Sequence, residues 1–347
     1  MERRIAVRAA AAVVALAAVT AAGPAAAQSK AGTTIGQFLL IEPSARVAAM
    51  GNAGVTLFDG VDALYYNPAA AAAVERASVV FSHSEWIADI DHDYIALALP
   101  FRTWGTFFGS VTSLGSGEMD VRTVDFPLGT GERFTVSNLA LGVGYAREIT
   151  DRFAVGGQAN WLQETIWHNS LSAATLSIGT LYRVSANGLH LGSSLTHFGT
   201  NGRFDGRGLR ISYDADPDRY GDNSQLPAVQ YTDAFDVPVL FRVGVGMPIR
   251  LGRDARLRLA ADAFHPSDDE ESVSLGAELG YREVVAVRGG YQSLFLDGSE
   301  TGLTAGIGVR GEIQDAAYRV DYAWADHGRL GDVHRLSFGV AFGGSGP

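Results

Sequence analysis

The sequence predicts an all-β fold, a transmembrane antiparallel β-barrel of about fourteen strands. Three observations carry this. Large apolar residues alternate with small or charged ones in run after run, so each run has one apolar face and one face of Gly, Ala, Ser, Arg or Asp. Many runs extend beyond the ~5–6 residues typical of soluble strands, toward the ~9–11 that cross a bilayer at a tilt. Tyr145, Tyr182, Tyr281, Tyr291 and Trp324 fall near run ends, where a barrel places its interfacial girdles. A secreted sandwich or propeller also alternates, but its non-core face would be a water-facing surface rich in Lys and Glu.

The N-terminus comes first in chain order. Arg3, Arg4 and Arg8 precede an apolar run, Gly23-Pro24 breaks it, and Ala25-Ala26-Ala27 supplies small residues for cleavage. Residues 1–27 therefore read as a secretory signal peptide, with export through the inner membrane. The alternative, an N-terminal membrane anchor, would need ~20 apolar residues. No later segment approaches ~18 consecutive apolar residues, so a transmembrane helix is excluded.

The strands follow. Runs start near Ser78, Tyr94, Gly105, Asn138, Phe153, Ala173, Leu189, Val239, Arg256, Ser272, Val285, Gly302, Ala317 and Val333. In the run beginning at Val273, one face carries Val273, Leu275, Ala277, Leu279 and Tyr281, and the other carries Ser274, Gly276, Glu278 and Gly280. The even number of runs suits a bacterial outer-membrane barrel. Hydrophilic gaps at 115–131 and 201–236 read as extracellular loops, and His265-Pro-Ser-Asp-Asp-Glu-Glu271 as a shorter acidic turn. The last run places Leu336, Phe338, Val340 and Phe342 on one face. This looks like the C-terminal signal read by the barrel-assembly machinery, here followed by a five-residue tail.

Composition and motifs remove most chemistry. The 38 acidic against 27 basic side chains, a net charge of −11, argue against nucleic acid as a partner. Cysteine is absent, which removes disulfides, thiolate nucleophiles and iron–sulfur or cysteine–zinc sites. Lys30 is the only lysine, so P-loop and Schiff-base chemistry lose their usual residue. Gly306-Ile-Gly-Val-Arg-Gly311 matches a dinucleotide fingerprint, but a strand rather than a helix follows it. Asp214, Asp216 and Asp218 resemble part of a calcium loop, yet Arg219 stands where glycine is required and no Glu closes it. His83, Glu85, Asp89, Asp91, His92 and Asp93 read as a polar turn rather than a metal site. No GxSxG elbow or HExxH helix occurs. No catalytic residue, metal or cofactor is expected, and the protein reads as a non-enzyme. Arg242, Arg258, Asp262, Arg288, Arg319 and Asp321 face inward and are expected to form lumen salt bridges.

Residues 28–76 differ from the rest. Asn67 before Pro68 and a run of alanines is a helix start, since Asn caps free N–H groups and Pro fits the first turn. Ser44 before Ala45 and Gly51 after Met50 outline another short helix, with Gly51 at the left-handed C′ position.

The same stretch carries a resemblance. Phe38-Leu39, Ser44-Ala45-Arg46, Met50-Gly51-Asn52-Ala53 with Gly54, and Ala63-Leu64-Tyr65-Tyr66-Asn67-Pro68-Ala69 resemble the N-terminal signature of the PorV/PorQ outer-membrane proteins. That family is related to FadL-type transporters of long-chain fatty acids. The chain departs from it at Ala70-Ala71, where the family has Gly-Leu, and at Val47-Ala48-Ala49. The resemblance implies that 28–76 is a hatch plugging a fourteen-stranded barrel at 77–347, with Ser44, Arg46, Met50, Gly51, Asn52, Gly54, Tyr65, Tyr66, Asn67 and Pro68 as hatch residues. It implies a partner-binding or protein-export role of the type IX secretion kind, with exported proteins bearing a C-terminal signal domain as cargo. The alternative is FadL-like passive uptake of fatty acids or other hydrophobic small molecules through a lateral opening. A third reading is a sealed structural barrel. In each, outer-membrane lipid surrounds the protein.

Overall fold

The structure, a computed structural model, describes residues 32–343 apart from 102, 185–187, 215, 217, 219–224 and 297. The expected signal peptide and the end of the C-terminal tail lie outside the described residues, as does part of the Asp214–Asn223 acidic stretch.

Fourteen strands close into one antiparallel ring. They are β1 (Ser78–Trp86), β2 (Ile90–Phe101), β3 (Gly105–Ser116), β4 (Val136–Thr150), β5 (Phe153–Ile166), β6 (Asn169–Arg183) and β7 (His190–Gly199). The second half is β8 (Leu240–Leu251), β9 (Ala255–Pro266), β10 (Ser272–Tyr281), β11 (Val285–Leu294), β12 (Leu303–Ile313), β13 (Ala316–Asp326) and β14 (Asp332–Phe342). Each pairs with its successor, and β14 returns to β1 with Phe338 opposite Phe81. Closure leaves no unpaired edge, which a bilayer requires.

The largest displacements from the expected starts are at β2 and β6, which begin at Ile90 and Asn169 rather than near Tyr94 and Ala173. Asp91, His92 and Asp93 on one strand, and Asn169 and Ser170 on the other, put polar residues on both faces and hide the alternation. The expected polar turn between β1 and β2 is therefore largely strand, and only Asp89 lies in the connection. His92 points inward and is buried. His83 pairs outward with Asp93 at 2.8 Å.

Outward positions are apolar and uncovered around the ring: Ile95, Leu97 and Leu99 on β2, Val243 and Val245 on β8, Ile307 and Val309 on β12, Leu336 and Phe338 on β14. A continuous apolar belt of this extent is untenable in water and is the lipid-facing surface of a membrane barrel. No helix among the described residues is long and apolar enough to cross a membrane. Tyr145, Tyr182 and Tyr281 stand near one rim, and Tyr291 and Trp324 near the other. Residues 117–135 and 200–239 leave from the second rim, and turns as short as 151–152 and 314–315 from the first. Long loops face outward and short turns the periplasm in such barrels, which orients the molecule. The β14 residues Leu336, Phe338, Val340 and Phe342 lie on its outward face.

Residues 35–74 run down inside the ring, from the extracellular rim to the start of β1. Strand glycines make room for them. A Cβ added at Gly156 would lie 2.5 Å from the Pro68 carbonyl carbon, at Gly276 2.7 Å from Met50 Cβ, and at Gly306 2.5 Å from Ala49 Cβ. Gly306 and Gly308 of the dinucleotide-like motif are thus lumen-wall positions within β12.

Candidate functional site

The inner segment is built from short turns, two of them capped by a side chain. Ser44 Oγ accepts from Val47 N at 3.3 Å and caps α1 (Ala45–Ala48), and it also donates to Asp62 at 3.0 Å. Gly51 takes φ +64 after the helix and donates its N–H to Thr304 on β12 at 3.0 Å. Asn52 is also left-handed, at φ 62. Met50 is fully buried against Gly276. Gly54 has Val47 and the Tyr66 ring where a side chain would go. Tyr65 donates to Leu39 O at 2.8 Å, joining both ends of the segment. Asn67 Oδ1 accepts from Ala69 N at 3.0 Å, and its Nδ2 donates to Val55 O at 2.9 Å and to Thr180 O on β6 at 3.0 Å. One side chain thereby caps the turn Pro68–Ala73 and fastens it to the wall. Pro68 packs at Gly156 and Gly179. Tyr66 is buried under the Arg242 guanidinium, 5.8 Å from its ring centre.

Arg46 is the electrostatic centre of the segment. It grips Glu278 on β10 through Nε and Nη2 at 2.8 and 2.9 Å, and Asp59 through Nη1 and Nη2 at 3.0 and 3.1 Å. Arg258 bridges the same two carboxylates at 2.9 and 3.0 Å. From Glu278 the chain of charge continues to Arg288 at 2.7 Å, Asp321 at 2.8 Å and Arg319 at 2.7 Å. Arg319 then closes on Asp62 of the inner segment. Burial would raise the Asp59 carboxyl, but Arg258 and Arg46 outweigh it and hold it well below the usual range. Asp62 is lowered in the same way, burial being outweighed by Arg319 and Arg46. Glu42 goes the other way. Burial raises it, although Arg242 stands 3.5 Å off.

Of the six inward residues expected to form lumen salt bridges, Arg242, Arg258, Arg288, Arg319 and Asp321 do so, whereas Asp262 accepts from the backbone of Val55 at 2.8 Å and has no ion pair among the described residues. Asp59, Asp62 and Glu278 were not singled out from sequence. Glu278 is an isolated acid among Ser274, Gly276 and Gly280 on an inward face, and that isolation was the available signal. A second row escaped notice as well. Arg335, Ser84 and His92 face one another across β14, β1 and β2, all buried. Arg335 Nε and Nη1, Ser84 Oγ and both His92 nitrogens have no hydrogen-bond partner. Such atoms cost about 1–3 kcal/mol each.

Two kinds of space flank the network. On the extracellular side Ile35, Phe38 and Leu39 fill an apolar chamber walled by Leu114, Leu162, Leu171 and Val237. On the periplasmic side three cavities of ≈ 630, 850 and 550 Å³ meet at Asp59. The wall has no broken strand among the described residues. Its irregularities are register shifts at Glu148/Thr150, Leu176/Ile178 and Val273/Leu275. Among the described residues no three acidic or histidine side chains are grouped to hold a metal.

No protein-family model and no curated protein matches the chain. Solved structures do. The Pseudomonas putida toluene transporter TodX superposes with a TM-score of 0.55 at 12% identity, covering 87% of this chain and 98% of its own. The CymD monoaromatic hydrocarbon channel gives 0.52 at 12% identity, covering 88% and 98%. The barrel thus shares its fold with these two channels. The PorV/PorQ resemblance has no counterpart among these structures.

Proposed function

We propose that the protein is an outer-membrane channel for hydrophobic small molecules, with residues 28–76 as its hatch. The observation that carries the reading is the apolar chamber at the extracellular rim, occupied by the hatch's own Ile35, Phe38 and Leu39. An apolar guest entering from outside meets its first dry surface there, and displacing the stretch 35–40, which includes the turn Gln37–Leu40, vacates it. The fold likeness to a toluene transporter and a monoaromatic hydrocarbon channel supports the same substrate class. The unpaired row of Arg335, Ser84 and His92 favours a hatch that shifts, because the seated arrangement leaves buried donors unsatisfied. Passage is diffusion past a displaced plug, without covalent chemistry.

The protein-export reading draws support from the signature residues alone, and no feature of the lumen favours it. Native mass spectrometry in mild detergent separates the two. The channel reading expects a bound apolar molecule, more of it in Phe38→Ala and less in Leu171→Asp. Exported proteins in its place, sharing a C-terminal domain, would sink it.

A further inference from the structure

We infer that the periplasmic chamber below the hatch is a binding site for a carboxylate or phosphate anion, with Arg310 as its open position and Asp59 as a tethered occupant. Four guanidinium groups of the network, on Arg46, Arg258, Arg288 and Arg319, are matched by four carboxylates, on Asp59, Glu278, Asp321 and Asp62. Arg310 is a fifth cation on the inward face of β12. It lies directly opposite Arg319 on β13, and like charges so placed repel. Arg319 has Asp62 and Asp321. Arg310 uses its backbone N–H on Val284 O at 2.7 Å, and among the described residues its guanidinium makes no hydrogen bond or ion pair. It lines the two larger cavities, and Asp59 lines all three. Arg250, likewise without a partner, lines the first and third.

Of the other acids along these cavities, Glu278 belongs to the network, Glu283 pairs with Arg256 and Glu312 with Arg76, both at 3.3 Å, and Asp254 pairs with Arg282 at 3.6 Å, which leaves Glu75 on the largest cavity. Arginines outnumber carboxylates along the three cavities, and the one carboxylate common to all of them, Asp59, belongs to the hatch and is one-third exposed, at 33%. The arginine fork takes a carboxylate or a phosphate with the same geometry. A dissolved anion entering from the periplasm binds at Arg310 and competes with Asp59 for Arg258. The cavities lie at the periplasmic rim, where the largest is also lined by Val79 and Val340 of the outward face. The site depends on the hatch reading only for its consequence, a loosened latch, and not for the binding itself.

The test is calorimetric titration of inorganic phosphate into the full-length protein in non-ionic detergent at low salt. Arg310→Gln is expected to weaken binding by about tenfold or more. Arg122→Gln removes the same charge from an extracellular loop and is expected to leave binding unchanged. Arg310→Lys keeps the charge without the fork and falls between. Asp59→Asn removes the tethered competitor and is expected to tighten binding. Equal affinity in wild type and Arg310→Gln, or no gain in Asp59→Asn, overturns the site. Neither result bears on whether the hatch plugs the barrel, which conductance reports separately.

Discussion

Truncating Arg46 to alanine tests the latch directly. The side chain is 1% exposed and makes four charge-assisted contacts, two to Glu278 on the wall and two to Asp59 on the hatch. Removing one partner from a buried ion pair costs about 3–5 kcal/mol, because the other is left uncompensated. Here Asp59 keeps Arg258, and Glu278 keeps Arg258 and Arg288, so the lower end applies, about 3 kcal/mol. At ~1.4 kcal/mol per factor of ten, the ratio of displaced to seated hatch rises on the order of 100-fold. Among the described residues Arg46 bonds no strand side chain other than Glu278, and the strand ladder does not pass through it, so the barrel itself should stay folded. The assay is open probability of single channels in planar bilayers, with heat-modifiable migration on gels as the check on the barrel. Arg46→Lys, which keeps one charge and loses the fork, should fall between. If Arg46→Ala channels are as quiet as wild type while the barrel is intact, the network is not what seats the hatch.

Further expectations follow from other contacts. A side chain at Gly290 would press on Met50 and Gly51, so Gly290→Val should expose residues 28–76 to limited proteolysis while the strands stay protected. Asn67→Ala with Gly51→Val removes a cap, one wall bond, one bond within the segment and a left-handed turn, and should raise single-channel conductance. The pH dependence follows from Asp59 and Asp62. Both are lowered in the folded state, so their stabilisation is present above the unfolded carboxyl pKa near ~4 and is lost as pH falls through the lower folded values. Conductance should therefore not rise between pH 7 and about 4, where the raised Glu42 can only favour the seated segment, and should rise only in stronger acid. A rise already by pH 5 would refute this. Phe342→Ser should lower the fraction of chain assembled into the membrane, read by pulse-labelling and gel migration.

The wall was legible in the sequence because its period is two and its outer solvent is lipid. Val273 to Tyr281 needs no tertiary information to show which face meets the bilayer. The turns of the inner segment were legible from Ser44, Gly51, Asn67 and Pro68, since caps act locally. What joined the two was not. The pairing of Arg46 with Glu278 spans 232 positions, and nothing near either residue encodes it. The segment Pro68–Ala73 is a 3-10 turn rather than a longer helix, because Gly156 and Gly179 admit its backbone only to a fixed depth. The position of His92 was misjudged for a related reason. One residue of a polar cluster can face a plug while its neighbours face solvent, and only the register of β1 with β2 decides which.

The glycines of the wall also say something about the passage once it is empty. Gly156, Gly179, Gly192, Gly276, Gly290 and Gly306 touch the hatch from six different strands, and none carries a side chain that could swing across the space the hatch leaves. The barrel is in this respect a mould, and its imprint is the width of a polypeptide backbone with small side chains. A vacated imprint of that kind cannot collapse by rotamer change, since its floor is peptide bond held in the strand ladder. On the hatch reading proposed above, the bore is set at assembly, and a guest is sized by the shape of the segment it replaces.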